Sequence, residues 1–156
     1  MRRREFISLM GGAATWPLVA RAQQAERVRR IALLTGVTGE DEQTKARIAA
    51  FLLEMRKLGW TEGRNVQFEF RAGAGDLATT RKYAAELVAL APDVILATGS
   101  TPVALLLEAT RTVPIVFATV VDPMGAGFIE KLSRPGSNAT GFMMFDYSLS
   151  GKWLEL

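Results

Sequence analysis

Residues 94–110 read VILATGSTPVALLLEAT, an apolar run that breaks at Gly-Ser-Thr-Pro and resumes with helical spacing. Four apolar residues, Val94 to Ala97, suit a strand buried on both faces. Val103, Leu106, Leu107 and Thr110 then fall on one helical face. Thr101 followed by Pro102 reads as an N-cap with proline at the first helical position. A strand running straight into a helix is one half of a βαβ unit, and the flanking sequence repeats the pattern.

Upstream, Ile31 to Leu34 form a second continuous apolar run ending at Thr35-Gly36. Ile48, Phe51, Leu52, Met55 and Leu58 predict the inner face of a helix over 43–58, stopped by Gly59. Residues 66–71 alternate apolar and polar, as in a strand with one wet face. Tyr83, Ala84, Leu87, Val88 and Ala91 mark the inner face of a second helix, broken by Pro92-Asp93. Downstream, residues 114–121 are a fourth apolar run, 126–132 a short helix, 133–138 a turn and 140–143 a short fifth strand.

Alternation of this kind predicts an α/β fold, a three-layer parallel sheet with right-handed crossovers. Strands apolar on both faces belong inside and the alternating one at an edge, which selects the order 2-1-3-4-5. Its topological switch point lies between the first and third strands, where connections leave in opposite directions and open a crevice. The carboxyl ends lining that crevice are Thr35-Gly36 and Thr98-Gly99-Ser100-Thr101.

Composition narrows the chemistry. The 156 residues contain no cysteine and no histidine, which excludes disulfides, thiolate catalysis, the usual zinc sites and histidine-based catalysis. No cofactor is expected. Residues 1–22, MRRREFISLMGGAATWPLVARA, read as an export signal: a basic start, an apolar stretch too short to span a bilayer, and the small residues Ala20 and Ala22 around a cleavage site. Arg3 and Arg4, followed by Glu5-Phe6-Ile7, fit the twin-arginine pattern; an ordinary Sec signal is the alternative. Removing this segment takes four of the 19 basic residues and one of the 16 acidic ones, leaving 15 of each. A neutral mature chain gives no electrostatic reason to bind nucleic acid, and without the signal no stable membrane insertion is expected. The expected product is soluble and periplasmic.

At the crevice, the amides of Ser100, Thr101 and Val103, two hydroxyls and the positive end of a helix dipole make an anion site. With no lysine or glycine-rich wrap, a single carboxylate fits better than a polyphosphate. Backbone at Gly36 can approach a ligand closely. The acids Glu40, Asp41 and Glu42 argue against FMN, and one of the last two is expected to cap the next helix. Gly73-Ala74-Gly75-Asp76-Leu77-Ala78 matches the dinucleotide fingerprint, with Asp93 further on, but follows the edge strand instead of the first; a turn capped by Asp76 is the better reading. A receiver domain would need an aspartate where Thr98 stands. Asp122 either caps the short helix near Gly125 or accepts a ligand's ammonium group. Phe145 and Tyr147 either wall the cleft or pack ordinarily.

The segments RRREFISLMGGAATWPLVARAQQ, LGWTEGRNV, LAPDVILATGS, TVPIVFATVVDPMGAGF and SRPGSNATGF…SGKWLEL together resemble the ABC-transporter substrate-binding proteins related to tryptophan/tyrosine uptake components, over essentially the whole chain. This resemblance implies one lobe of a type I periplasmic binding protein, two such lobes closing over a small ligand by a hinge motion. It implies an extracytoplasmic solute-binding protein serving an ABC permease complex, its ligand a small molecule such as an amino acid. From the crevice reading above, the residues expected to hold that ligand are Gly36, Thr98, Gly99, Ser100, Thr101, Asp122, Phe145 and Tyr147. Family members are about twice as long. On that basis residues 23–145 are expected to be the N-terminal lobe, and 146–156 the start of a crossover helix to a second lobe, with Trp153 and Leu154 packing there. An alternative is a periplasmic sensing module feeding a signalling receptor. An enzyme using Asp122 or Lys82 is the weakest reading, because nothing pairs a nucleophile with a base.

Overall fold

The computed structural model describes residues 27–144 of the 156. Within them, strands and helices alternate as β1 (Arg29–Thr35), α1 (Glu42–Lys57), β2 (Val66–Ala72), α2 (Leu77–Ala89), β3 (Val94–Thr98), α3 (Ser100–Ala109), β4 (Ile115–Val120) and β5 (Ala139–Met143). The five strands form one sheet in the order β2-β1-β3-β4-β5, every pairing parallel. This is the α/β architecture and strand order expected from the patterning.

Handedness distributes the helices. The chain steps from β1 to β2 through α1, then back past β1 to β3 through α2. Both crossovers being right-handed, α1 and α2 must lie on opposite faces, and α3, continuing in the second direction, joins α2. Packing follows suit. Ala32, Leu34, Ile95, Ala97, Ile115 and Phe117 turn toward α2 and α3 and form the main core with Ala84, Leu87, Val103 and Leu106. On the other face Ile31, Leu33 and Val66 meet Phe51 and Met55 of α1 in a smaller cluster, with Phe51 and Phe68 edge to face at 5.8 Å. α3 buries five residues, whereas α1 buries Thr44 alone.

Three local expectations are corrected. Leu58 is not on the inner face; it is the C-cap of α1 and 74% exposed, because the last turn runs past the sheet. Ala91 lies beyond the C-cap Leu90 with φ 48°, a left-handed exit that turns it to solvent. Residues 126–132 form no helix but a turn, in which Asp122 accepts from the Gly125 amide at 2.7 Å and Gly127 adopts φ 72°. Two glycines at 125 and 127 give a helix little intrinsic support. Asn138 donates to the Val113 and Thr110 carbonyls and fastens the start of β5.

Asp93 ties the amino end of the sheet together. Its carboxylate accepts from the Arg29 guanidinium at 2.8 Å and from the Arg30 amide at 2.9 Å, with Arg27 3.5 Å away. The Arg30 amide, followed by Arg29, holds this carboxyl below its ordinary value of 3.8. The unfolded chain therefore binds the proton first on acidification. Asp93 contributes stability that is complete well above pH 3.8 and declines as pH falls through its depressed value. Urea midpoints followed downward from pH 6 should fall less steeply for Asp93→Asn than for the parent. Parallel curves would remove Asp93 from the acid response.

Candidate functional site

At the carboxyl ends of β1 and β3 the chain opens a cleft of about 390 Å³ lined by Gly36, Val37, Gly75, Asp76, Thr98, Gly99, Ser100 and Thr101, among others. It sits at the switch point of the 2-1-3 strand order, where open parallel sheets bind ligands. Five residues singled out in the sequence, Gly36, Thr98, Gly99, Ser100 and Thr101, line it together.

The first turn of α3 differs from the sequence reading. Gly99, not Thr101, is the N-cap, at φ 89° and ψ 161°, and no side chain caps the helix. Only glycine adopts that conformation without strain, so the helix starts directly off the strand. Its amide donates to the Ala118 carbonyl at 3.0 Å. Pro102 falls at the third helical position, where its missing N–H is still no loss to the helix. Val103 is the first residue to donate back into the helix, so it leaves the set of free amides. Ser100 and Thr101 remain: both are exposed, and their amides find no partner among the described residues. Two N–H groups at the positive end of a ten-residue helix thus point into an open cleft.

The β2–α2 loop supplies the opposite wall. Gly73 donates to the Thr35 carbonyl at 2.8 Å and Gly75 to the Gly36 carbonyl at 2.7 Å, zipping this loop onto the β1–α1 loop. A methyl at Gly73 would collide with the Thr80 side chain, so the close approach needs glycine. Asp76 caps α2, accepting from the Thr79 amide at 2.6 Å, and the Thr79 hydrogen bonds hold its carboxyl below the ordinary range. Asp76 therefore stays ionised at neutral pH and places a negative charge on the cleft wall. The sequence suggested the cap but not this placement, since the hydrogen bonds joining the two loops leave no local pattern.

Other candidates lie elsewhere. Asp122 is exposed, spends one oxygen on Gly125 and does not line the cleft. Lys82 pairs with Glu86 at 3.8 Å on α2, also away from the cleft. Asp41 caps α1 through the Thr44 amide at 2.9 Å, while Glu40 and Glu42 pair with Lys45. Asp93 sits at the amino rim, so the fingerprint reading of residues 73–78 has no nucleotide geometry behind it. Phe145, Tyr147, Trp153 and Leu154 at one end, and Arg3, Arg4, Ala20 and Ala22 at the other, lie outside the described residues. Among those described, no group of acidic residues is placed to hold a metal ion, and no helix is long and apolar enough to cross a membrane.

Residues 36–156 match the family described as ABC transporter substrate binding protein. The chain belongs to that family. It is a family of solute-binding proteins, not an enzyme class. Over 106 residues the chain is 31% identical to a tyrosine-binding protein of Clostridioides difficile, covering 68% of this chain and 30% of that relative. A conserved domain protein of Vibrio cholerae superposes with a TM-score of 0.72 at 29% identity, over 83% of this chain and 43% of that one. The ligand-free, open structure of a Clostridium difficile substrate-binding protein with adhesive properties gives 0.70 at 26% identity, over 80% and 43%. The chain thus spans less than half the length of these relatives, and its fold is that of one lobe of a periplasmic binding protein.

Proposed function

We propose that this chain is the ligand-capturing N-terminal lobe of an extracytoplasmic solute-binding protein that delivers an amino acid to an ABC importer. The observation that carries the reading is the pair of unpartnered Ser100 and Thr101 amides opening into the cleft at the switch point. They suit a single carboxylate. Asp76, on the facing wall, suits the ammonium group, the role that sequence reasoning offered to Asp122. A zwitterion spanning the two satisfies both charges. The tyrosine-binding relative supports an amino acid, and residues 1–22 support export to the periplasm, where a permease would collect the ligand.

A thermal-shift screen of the protein against the twenty amino acids and simple carboxylates tests the reading. A ligand at a hundred times its Kd adds about 2.7 kcal/mol of stability, several degrees in melting temperature for a domain of this size. Tyrosine is the first candidate. If no amino acid shifts the transition, the reading fails. Asp76→Asn separates the two anchors: asparagine caps a helix about as well as aspartate, so the fold stands while the charge goes. Affinity for the amino acid should drop about tenfold or more, and affinity for the corresponding deaminated acid should not fall. Equal losses for both ligands would take the ammonium away from Asp76.

A further inference from the structure

The sheet has two outer strands, β2 and β5, and their sequences differ. β2 carries Gln67, Glu69 and Arg71, and charges on an edge strand discourage pairing with another chain. From Ser137 to Met144 there is neither a charge nor a proline, so β5 has no such guard. Phe142, within that stretch, is 76% exposed, and Met144 also lies exposed. We infer that β5 is a self-association edge, at which two copies of this chain pair antiparallel about Gly141 into one continuous sheet.

Three observations carry it. The first is the free backbone. The Ile115 amide donates to the Asn138 carbonyl at 2.8 Å, and the Met144 amide to the Val120 carbonyl at 2.7 Å. Backbone groups alternate along a strand, so Ala139, Gly141 and Met143 turn theirs away from β4. The Ala139 amide leans on the Ser137 hydroxyl at 3.2 Å; the others meet no partner among the described residues. Such a row is a template for a further strand. The second is register. A two-fold axis at Gly141 sets Gly141 against Gly141, Ala139 against Met143 and Thr140 against Phe142, so every outward donor meets an acceptor. Thr140 and Phe142 lie on the face opposite the main core that Ala139 joins. Each Phe142 ring then covers Thr140 of the other copy, and the two rings are diagonal neighbours. The third is charge. At β5 no charge faces its own image, whereas the same operation on β2 centred on Glu69 would oppose two carboxylates, so growth stops at the dimer. Antiparallel copies hold their carboxyl rims at opposite ends, which leaves both clefts clear.

Sedimentation equilibrium of the protein tests the inference. A pair of five-residue strands falls below the roughly 1,000 Å² of a stable interface, so a dissociation constant of about 10–100 µM is expected. With rising concentration the average mass should climb from one chain toward two and stop there. Phe142→Lys sets two cations on the diagonal and should weaken association at least about tenfold, with the melting curve unchanged. Thr140→Lys serves if that variant does not fold. The chain has no cysteine, so introduced cysteines report the register. Under mild oxidation a mixture of Thr140→Cys and Phe142→Cys should form disulfide dimers that neither forms alone, because only directly opposite residues bring their β-carbons within about 5 Å. A mass of one chain at every concentration overturns the inference, as it would were another segment of the chain seated on β5. So does growth past the dimer, association of both lysine variants equal to the parent's, or a mixture that cross-links no better than either cysteine variant by itself.

Discussion

Replacing Ser100 by proline should lower affinity for the amino-acid ligand by about 10- to 100-fold and leave the fold intact. Each hydrogen bond to a charged group contributes about 1.5–3 kcal/mol, and every 1.4 kcal/mol is about a factor of ten. Ser100 is the first residue of α3, the position where a helix accepts proline readily, since its N–H has no intrahelical partner. Gly99 already has the extended ψ of 161° that a residue before proline favours. The substitution therefore removes one of two candidate carboxylate donors without asking the backbone to move. Removing the hydroxyls instead, with Ser100→Ala and Thr101→Val together, leaves both amides in place and should weaken binding less. Calorimetry on the amino acid giving the largest thermal shift reads the affinity, and a melting curve without ligand reads the fold. An unchanged Kd in Ser100→Pro would put the anion somewhere else.

Gly141→Ala should destabilise the domain by more than about 3 kcal/mol, at the upper end of what overpacking costs. Gly141 pairs with Phe117 across the β4–β5 ladder. A β-carbon there would overlap the Phe117 carbonyl oxygen and lie 2.7 Å from its nitrogen. Both atoms are backbone, and β4 cannot retreat because Ile95, Leu96, Ala97 and Thr98 pair with its other edge. Phe117 is itself fully buried in the larger core, so a shift there spreads into α2 and α3. Urea midpoints compare the variant with Gly63→Ala, where the added methyl meets nothing within 4 Å and left-handed backbone strain of about 1–2 kcal/mol is the only cost. Equal losses from the two would mean that β5 does not press on β4 as described.

Most of the architecture was legible because burial on two faces leaves an unmistakable trace. Ile31 to Leu34, Val94 to Ala97 and Ile115 to Ala118 are apolar without alternation, and residues 66–71 alternate; those two patterns sort interior strands from an edge. What was not legible depends on one residue's backbone or on contacts distant in sequence. Thr101-Pro102 has the composition of a cap and first turn, yet Gly99 at positive φ starts the helix two residues sooner. Leu58 continues the period of α1 but has no sheet beneath it. Asp122 stands at the end of a strand, as a site residue should, but the turn that follows takes it for its own closure. Asp76 looked like a helix cap and is one; its place beside Gly36 comes from the Gly73 and Gly75 amides reaching another loop.

The unequal covering of the two sheet faces has a consequence for selectivity. α2 and α3 are locked onto a continuous core, whereas α1 rests on a small cluster with Thr44 as its one buried residue. Displacing α1 by an ångström or two exposes little apolar surface, while moving α3 would uncover five buried side chains. α1 can therefore give way without uncovering core, while the α3 turn that presents the Ser100 and Thr101 amides is held rigid, so discrimination by charge there should be sharp.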